Sequence, residues 1–308
     1  MRPQKIAHLS DRGAISVAGS DAAKLLQGLI TNDIAAFDGK IGAGWTEAID
    51  AGLLSPQGKI LFEFLIANAP GTFLLDVAHD RVSDLIKRLT MYKLRADVSI
   101  SDVTANYKLL ALWGPDSCSS GETIGTVSFI DPRSPGLGRR IWAEARFATD
   151  IASATNGFRV SEQDYHAHRI ALGIPEGGKD YDFGDAYPHE ADFDLFNGVS
   201  FTKGCYVGQE VVSRMQNKSV IRKRVVKVTG ATPLTNSSDV VLGDVAIGRI
   251  GSTAGVHALA MLRLDRMVEA IEKGIPLSAG GISLIVDPEA LSHYRSSVTA
   301  HAAKPGFA

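Results

Sequence analysis

The apolar residues of this chain change period several times, and the changes mark out its elements. Gly13 to Val17 is a short apolar run that predicts a strand, closed by a turn at Gly19. Ser20 as N-cap and Asp21 in the first turn then open a helix. Its Leu25, Leu26, Leu29 and Ile30 share one face before Thr31-Asn32-Asp33 ends it. Trp45 to Leu54 and Lys59 to Ala67 are extended runs around the turn Ser55-Pro56-Gln57-Gly58, and the second is apolar except for Glu63. Pro70-Gly71 turns the chain into a hairpin partner, Thr72 to Val77. From His79 to Tyr92 the period lengthens. Val82, Leu85, Ile86 and Leu89 fall at i, i+3, i+4 and i+7, the pattern of an amphipathic helix. Further strands are predicted over Val98 to Val103, Tyr107 to Trp113, Val127 to Ile130 and Arg140 to Ala145.

The second half reads differently. Ser161 to Leu172 is a helix with Ser161 as N-cap, Asp164 at its third position and Gly173 closing it. Gly173 to Asn197 has no clear period: a long ordered segment of this kind is more often functional than not, and a disordered linker is the competing reading. Lys218, Arg222, Lys223, Arg224 and Lys227 lead into a Val-rich strand, either as solvated edge charges or as a patch for an anion. Short strands punctuated by glycine follow at Val240 to Leu242, Asp244 to Ile250 and Ile282 to Val286, which predicts a small β-barrel or sandwich. A helix over Leu264 to Lys273 interrupts them with Leu264, Met267, Val268 and Ile271 inward, and the tail from Val298 to Ala308 is expected to be disordered. Strands and helices in this order give an α+β class.

Length and charge narrow the picture. At 308 residues two or three domains are expected. A formal net charge of -2 gives no global pull toward nucleic acid or an anionic membrane, so no direct partnership with either is expected. The chain shows neither a signal-like apolar core near Met1 nor an apolar run long enough to span a bilayer, and the cytoplasm is the expected compartment. Cys118 and Cys205 are too few for a disulfide framework or an intrinsic four-cysteine metal site. His166 and His168, two apart on a helix, point to different faces, and no intrinsic metal site is expected.

One run concentrates flexible, reactive and polar residues: Lys203-Gly204-Cys205-Tyr206-Val207-Gly208-Gln209-Glu210. Its glycines permit close approach. A nearby ammonium such as Lys203 favours the Cys205 thiolate, whereas the Glu210 carboxylate opposes it. Residue types alone also fit a tight turn with an inert cysteine.

The order of these residues resembles the signature of the YgfZ family of folate-binding proteins, which is related to a mitochondrial iron-sulfur assembly factor. Leu26-Gln27-Gly28 with Thr31-Asn32-Asp33, Pro56-Gln57-Gly58-Lys59, Tyr92-Lys93-Leu94-Arg95, Gly173-Ile174-Pro175-Glu176 and Val199-Ser200-Phe201 support it in the same order. The resemblance implies a three-domain cloverleaf similar to the glycine-cleavage T-protein, with a central folate channel and a C-terminal β-barrel. On that pattern residues 1–48 and 151–218 form a discontinuous first domain, 49–150 an α+β domain and 219–308 the barrel. It also implies tetrahydrofolate or a derivative as cofactor, and client or assembly proteins of iron-sulfur clusters as partners, with an effect on cluster-dependent tRNA modification. Asn32 and Asp33 are then expected to line the channel. Lys203 and Arg95 would meet the glutamate tail of the folate, and Gln209 the edge of its pterin. Glu210 would secure the turn. Cys205 is expected to act as a transient cluster ligand or redox-assisting thiol, ahead of a role as catalytic nucleophile.

The chain departs from the T-protein at two places. Ile60-Leu61-Phe62-Glu63 holds one carboxylate where that enzyme has an acidic pair. Arg169-Ile170-Ala171-Leu172-Gly173 places Ala171 where it carries the carboxylate that grips the pterin. A folate-dependent aminomethyl or one-carbon transferase is therefore the alternative function, and any enzymatic activity would be of that kind.

Overall fold

The computed structural model describes residues 4–37, 47–115, 117, 126–146, 155, 157–218, 221–287, 291 and 294. The expectations for Trp45, Cys118 and the tail from Val298 lie outside them. The elements in chain order are β1 (Lys5–His8), β2 (Arg12–Ala18), α1 (Ala22–Gln27), β3 (Ala48–Leu54), β4 (Ile60–Ala69), β5 (Thr72–Ala78), α2 (Val82–Lys93), β6 (Ser99–Asp102), β7 (Tyr107–Trp113) and β8 (Thr126–Ile130). Next come β9 (Arg139–Glu144), β10 (Phe158–Arg159), α3 (Glu162–Ala171), α4 (Gln209–Lys218), β11 (Lys223–Gly230), β12 (Asp239–Leu242), β13 (Val245–Ala254), β14 (His257–Arg263), α5 (Leu264–Glu272), β15 (Leu277–Ala279) and β16 (Ile282–Val286).

The chain divides into two compact units. The first comprises Met1–Ser55, Leu61–Tyr165 and Leu195–Val207. It holds two five-stranded sheets, ordered β3-β4-β5-β2-β6 and β10-β1-β7-β9-β8. Strand alternation assigns each residue to a face. Ile15, Phe64, Leu75 and Val77 pack on α2 through Val82, Leu85 and Leu89. On the opposite face, Ala14, Leu65, Ala67 and Leu74 meet Leu109, Phe129 and Trp142 of the second sheet. β1 and β10 pair in parallel, and the strands β2, β4, β5 and β6, and β1, β7, β8 and β9, pair antiparallel, for example Ala14↔Asp76 and Leu109↔Trp142.

The second unit comprises Pro56–Ile60, His166–Asp194 and Gly208–Ala308. Its strands close into a barrel, β11-β14-β13-β12-β15-β16, sealed where Val228 pairs with Val286. Leu264, Met267 and Val268 of α5 are buried in the barrel core with Ile271 packed against it, as their spacing predicts. The closed barrel leaves no free sheet edge.

Several predicted boundaries shift for local reasons. α1 begins at Ala22, because Ser20 Oγ bonds Asp97 Oδ2 at 2.9 Å and Asp21 Oδ2 accepts from Asp97 N at 2.9 Å instead of capping the helix. At α3 the predicted cap is present: Asp164 N donates to Ser161 Oγ at 3.2 Å, and Asp164 Oδ2 accepts from Ser161 N at 2.9 Å. α4 is a helix that the sequence reading does not predict; it starts directly after Gly208, whose φ is +84°. Arg224 corrects the reading of the basic series. It is 1% exposed, and its guanidinium holds Asp192 Oδ1 at 2.8 Å and Asp194 Oδ2 at 2.6 Å. Neither a solvated edge charge nor an open anion site fits that position.

Candidate functional site

Short-range hydrogen bonds join the end of α1 to residues 197–203. Thr31 Oγ1 donates to Gly198 O at 2.6 Å and accepts from Gly52 N at 2.8 Å. The Thr31 backbone N–H donates to Gly52 O at 2.9 Å, and its carbonyl accepts from Ser200 N at 3.0 Å. Asn32 Nδ2 donates to Asp50 O at 2.7 Å and to Asn197 O at 2.6 Å, while its Oδ1 accepts from Asp33 N at 2.8 Å. Asp33 Oδ1 accepts from Gln27 Nε2 at 2.8 Å and from Ala35 N at 2.9 Å. The polar trio that ends the first helix is a clamp.

Lys203 closes that clamp. Its Nζ donates to Gln27 O at 2.8 Å, Ile30 O at 2.8 Å and Asn32 O at 2.6 Å, so all three ammonium hydrogens are engaged. Carbonyls at a helix C-terminus lack intrahelical partners and favour a cation. Burial lowers the Lys203 pKa to about 8, with Asp33 pulling the other way. An anionic ligand tail therefore does not find Lys203 free; its role is to seat the run that follows. Tyr206, with its ring 5.1 Å from Lys203 Nζ, is also buried, and burial raises its hydroxyl to about 12. Between these two anchors Cys205 is an exposed free thiol.

Beyond Tyr206, Val207 packs against the core beneath the first sheet, and Gly208 turns into α4 in the second unit. Gln209 is half-buried at the start of α4, and Glu210 is exposed in its first turn, where a carboxylate suits the helix dipole. The Pro56-Gln57-Gly58-Lys59 turn reaches the same place: a Cβ on Gly58, at φ +80°, would lie 2.8 Å from Val211 Cβ. Arg95 is exposed just past the end of α2, next to Leu94 at φ 49°.

A cavity of ≈ 470 Å³ lies beside the clamp, lined among others by Asn32, Ile49, Pro132, Asn197, Val199 and Phe201. Phe201 is 44% exposed. Pro132 links the cavity to a buried charged layer, since its neighbours Asp131 and Arg133 form a bidentate pair at 3.0 and 2.8 Å. Burial pushes the Asp131 carboxyl up, but Arg133 and then Arg140 outweigh it and hold it below the usual carboxylate range. Arg140 Nη2 also donates to Tyr165 OH at 2.9 Å. Glu63 lies 3.7 Å from Arg133, and Arg12 Nε bonds Asp76 Oδ1 at 2.6 Å. In the second unit Arg169 is likewise buried, bonded to Asp180 Oδ2 at 2.7 Å and Ser252 Oγ at 2.6 Å, and 3.1 Å from Glu176 Oε2.

A mouse protein named iron-sulfur cluster assembly factor IBA57, mitochondrial, is 34% identical over 282 residues, covering 83% of this chain and 77% of its own length. The chain belongs to the IBA57 family. An IBA57 homolog from Mycosarcoma maydis, also named mitochondrial, is 35% identical over 247 residues, or 77% of this chain; the chain spans 60% of that relative's length. Residues 222–292 match the family model described as CAF17, C-terminal beta-barrel domain, which is where the closed barrel lies. The aminomethyltransferase T of the glycine cleavage system from Bartonella henselae shares the fold, with a TM-score of 0.73 at 17% identity over 92% of this chain and 85% of that one.

Within this IBA57 fold the structure brings Asn32, Asp33 and Lys203 together, with Cys205 two residues beyond the clamp, but the Asn32 amide and the Lys203 ammonium donate to backbone carbonyls, and Asp33 Oδ1 accepts from Gln27 Nε2 and Ala35 N. Sequence reasoning did not find the charged layer of Asp50, Asp76, Asp131, Arg133 and Arg140. A signal was present: Glu63, Asp50 and Asp76 each interrupt an apolar strand on the face that Leu65 and Leu74 bury.

Proposed function

We propose that this chain is a tetrahydrofolate-binding accessory factor for assembly or repair of iron-sulfur clusters in client enzymes, with Cys205 as a transient cluster ligand or redox-assisting thiol. The observation that carries this reading is the exposed thiol of Cys205 fixed between the buried anchors Lys203 and Tyr206, in a chain of the IBA57 family. A lone thiolate holds iron weakly unless another protein adds ligands, which suits delivery to a client better than storage.

The cavity beside Asn32 has the volume that small ligands occupy. Phe201 offers a ring face to a pterin, and the Ser200 and Thr202 hydroxyls offer polar contacts. Arg95, exposed, is available to carboxylates of the folate tail. When bound, tetrahydrofolate supplies a one-carbon carrier; the residues of this chain bind and orient it. Two features favour binding and delivery over one-carbon transfer. Glu63 faces Arg133 in the buried layer, and Ala171 has no carboxylate at all, so neither position offers a free carboxylate to a pterin.

Two experiments separate the parts of this reading. Calorimetry with tetrahydrofolate should give binding, with about 2.7 kcal/mol of stabilisation at a hundredfold excess over Kd. Phe201→Ala should weaken it about tenfold. No heat and no thermal stabilisation at saturation would remove the folate. In cells carrying only Cys205→Ser, client enzymes that need clusters should lose activity while the protein level holds; unchanged activity would take the thiol out of the mechanism.

A further inference from the structure

In the charged layer between the two sheets of the first unit, Asp50 is the buried carboxyl that, among the described residues, has neither a side-chain hydrogen bond nor a guanidinium at ion-pair distance. Arg12, Asp50, Glu63 and Asp76 project from β2, β3, β4 and β5 on the face that packs on the second sheet. Asp131 and Arg133 beyond β8, Arg140 of β9 and the hydroxyl of Tyr165 meet them. Arg12 and Arg140 hold Asp76, Arg133 and Arg140 hold Asp131, and Arg133 faces Glu63. Asp50 is 2% exposed and its Oδ1 accepts no hydrogen bond; its charged neighbours are Glu63, Arg133, Asp131 and Arg12. Among the described residues, four carboxylates therefore share this space with three guanidiniums. One proton balances the layer, and Asp50 is the carboxyl with no guanidinium bond to lose by taking it.

Asp50 also sits at a mechanical junction. β3 is an edge strand, held by its neighbour β4 on one side. Its Asp50 carbonyl accepts from the same Asn32 amide that donates to Asn197 O. Gly52, two residues on, exchanges bonds with Thr31, which in turn holds Gly198 and Ser200. The strand that carries the acid thus anchors residues 197–203, the wall of the cavity and the base of the Cys205 run.

We propose that Asp50 is held as a neutral carboxylic acid that balances this layer, and that its ionisation loosens the β3 anchor of residues 197–203. The cavity and the seat of Cys205 then become sensitive to rising pH. Burial and then Glu63 push the Asp50 carboxyl well above the usual carboxylate range, against the pull of Arg133. The sign follows. The unfolded chain releases this proton at the ordinary carboxylate value and the folded chain keeps it to higher pH. The folding equilibrium constant therefore falls by up to tenfold per pH unit from that value upward, until the folded chain ionises as well.

Infrared difference spectroscopy of the full chain against Asp50→Asn, in mildly acidic buffer, should show a protonated carboxyl band that the variant lacks. Hydrogen exchange of the 198–203 amides should accelerate with pH beyond the intrinsic rate in the wild type and follow the intrinsic rate in Asp50→Asn. Should Asp50→Asn not fold, Glu63→Gln gives a second reading: with one negative neighbour gone the onset of loosening moves to lower pH. A missing carboxyl band, or an onset that Glu63→Gln leaves in place, would overturn the proposal. So would the same exchange profile in wild type and Asp50→Asn.

Discussion

Lys203 shows how a side chain that looks like a ligand group serves the fold. Its charge beside a cysteine invites an electrostatic role in the sequence. In the structure its three donors meet the carbonyl of Gln27 at the end of α1 and those of Ile30 and Asn32 just beyond it. Lys203→Met should leave those carbonyls without their cation and destabilise the first unit by about 3 kcal/mol, at roughly 1 kcal/mol for each lost bond. The check is urea unfolding followed by a probe in the first unit, with folate affinity measured on the protein that remains folded. A variant of wild-type stability that fails only in ligand binding would restore the anion-binding role. Sequence could not distinguish the two roles, because a lysine reads the same whether a carboxylate or a backbone carbonyl faces it. Nor did the sequence separate a reactive Cys205 from an inert one; it is the fold, burying Lys203 and Tyr206 on either side, that leaves the thiol exposed.

At the scale of elements, the periodic stretches were read closely and the irregular ones were not. Tyr107–Trp113 and Ile282–Val286 match their predicted bounds because apolar runs between turn residues leave little choice. α4 escaped because Val211 and Val212 disfavour a helix, and its start depends on Gly208 adopting a left-handed backbone. The two glycines of motif stretches should respond differently to the same change. Gly204 has no atom within 4 Å of an added Cβ, so Gly204→Ala should shift stability by less than about 0.5 kcal/mol. Gly58→Ala meets both a left-handed φ and the Val211 side chain, and should cost about 1 to 3 kcal/mol. Thermal melts of both variants decide it, and equal effects would mean that α4 does not rest on the 56–59 turn as the structure has it.

The whole molecule carries a net charge of only -2, which says nothing of how it spends its charges. Each unit buries arginines against carboxylates, and in the second unit Arg224 does so with Asp192, Asp194 and the carbonyl of His189, the last at 2.7 Å. Removing one partner of such a group leaves the other charges buried without compensation, and Arg224→Met should cost about 3 to 5 kcal/mol. The cost should also depend on pH. Burial pushes the Asp192 carboxyl up to about 7, with Arg224 opposing. Because the folded value lies above the unfolded one, this group favours the folded state at low pH and that advantage is lost as pH rises through about 7. Without Arg224 the opposing pull is gone, the folded value climbs further, and the loss extends to higher pH. Urea unfolding of the barrel strands in mildly acidic and mildly alkaline buffer should therefore show a larger deficit for Arg224→Met on the alkaline side. A deficit that does not change with pH would mean that Asp192 is not the charge left stranded, and would move the cost to the severed bonds at Asp194 and His189.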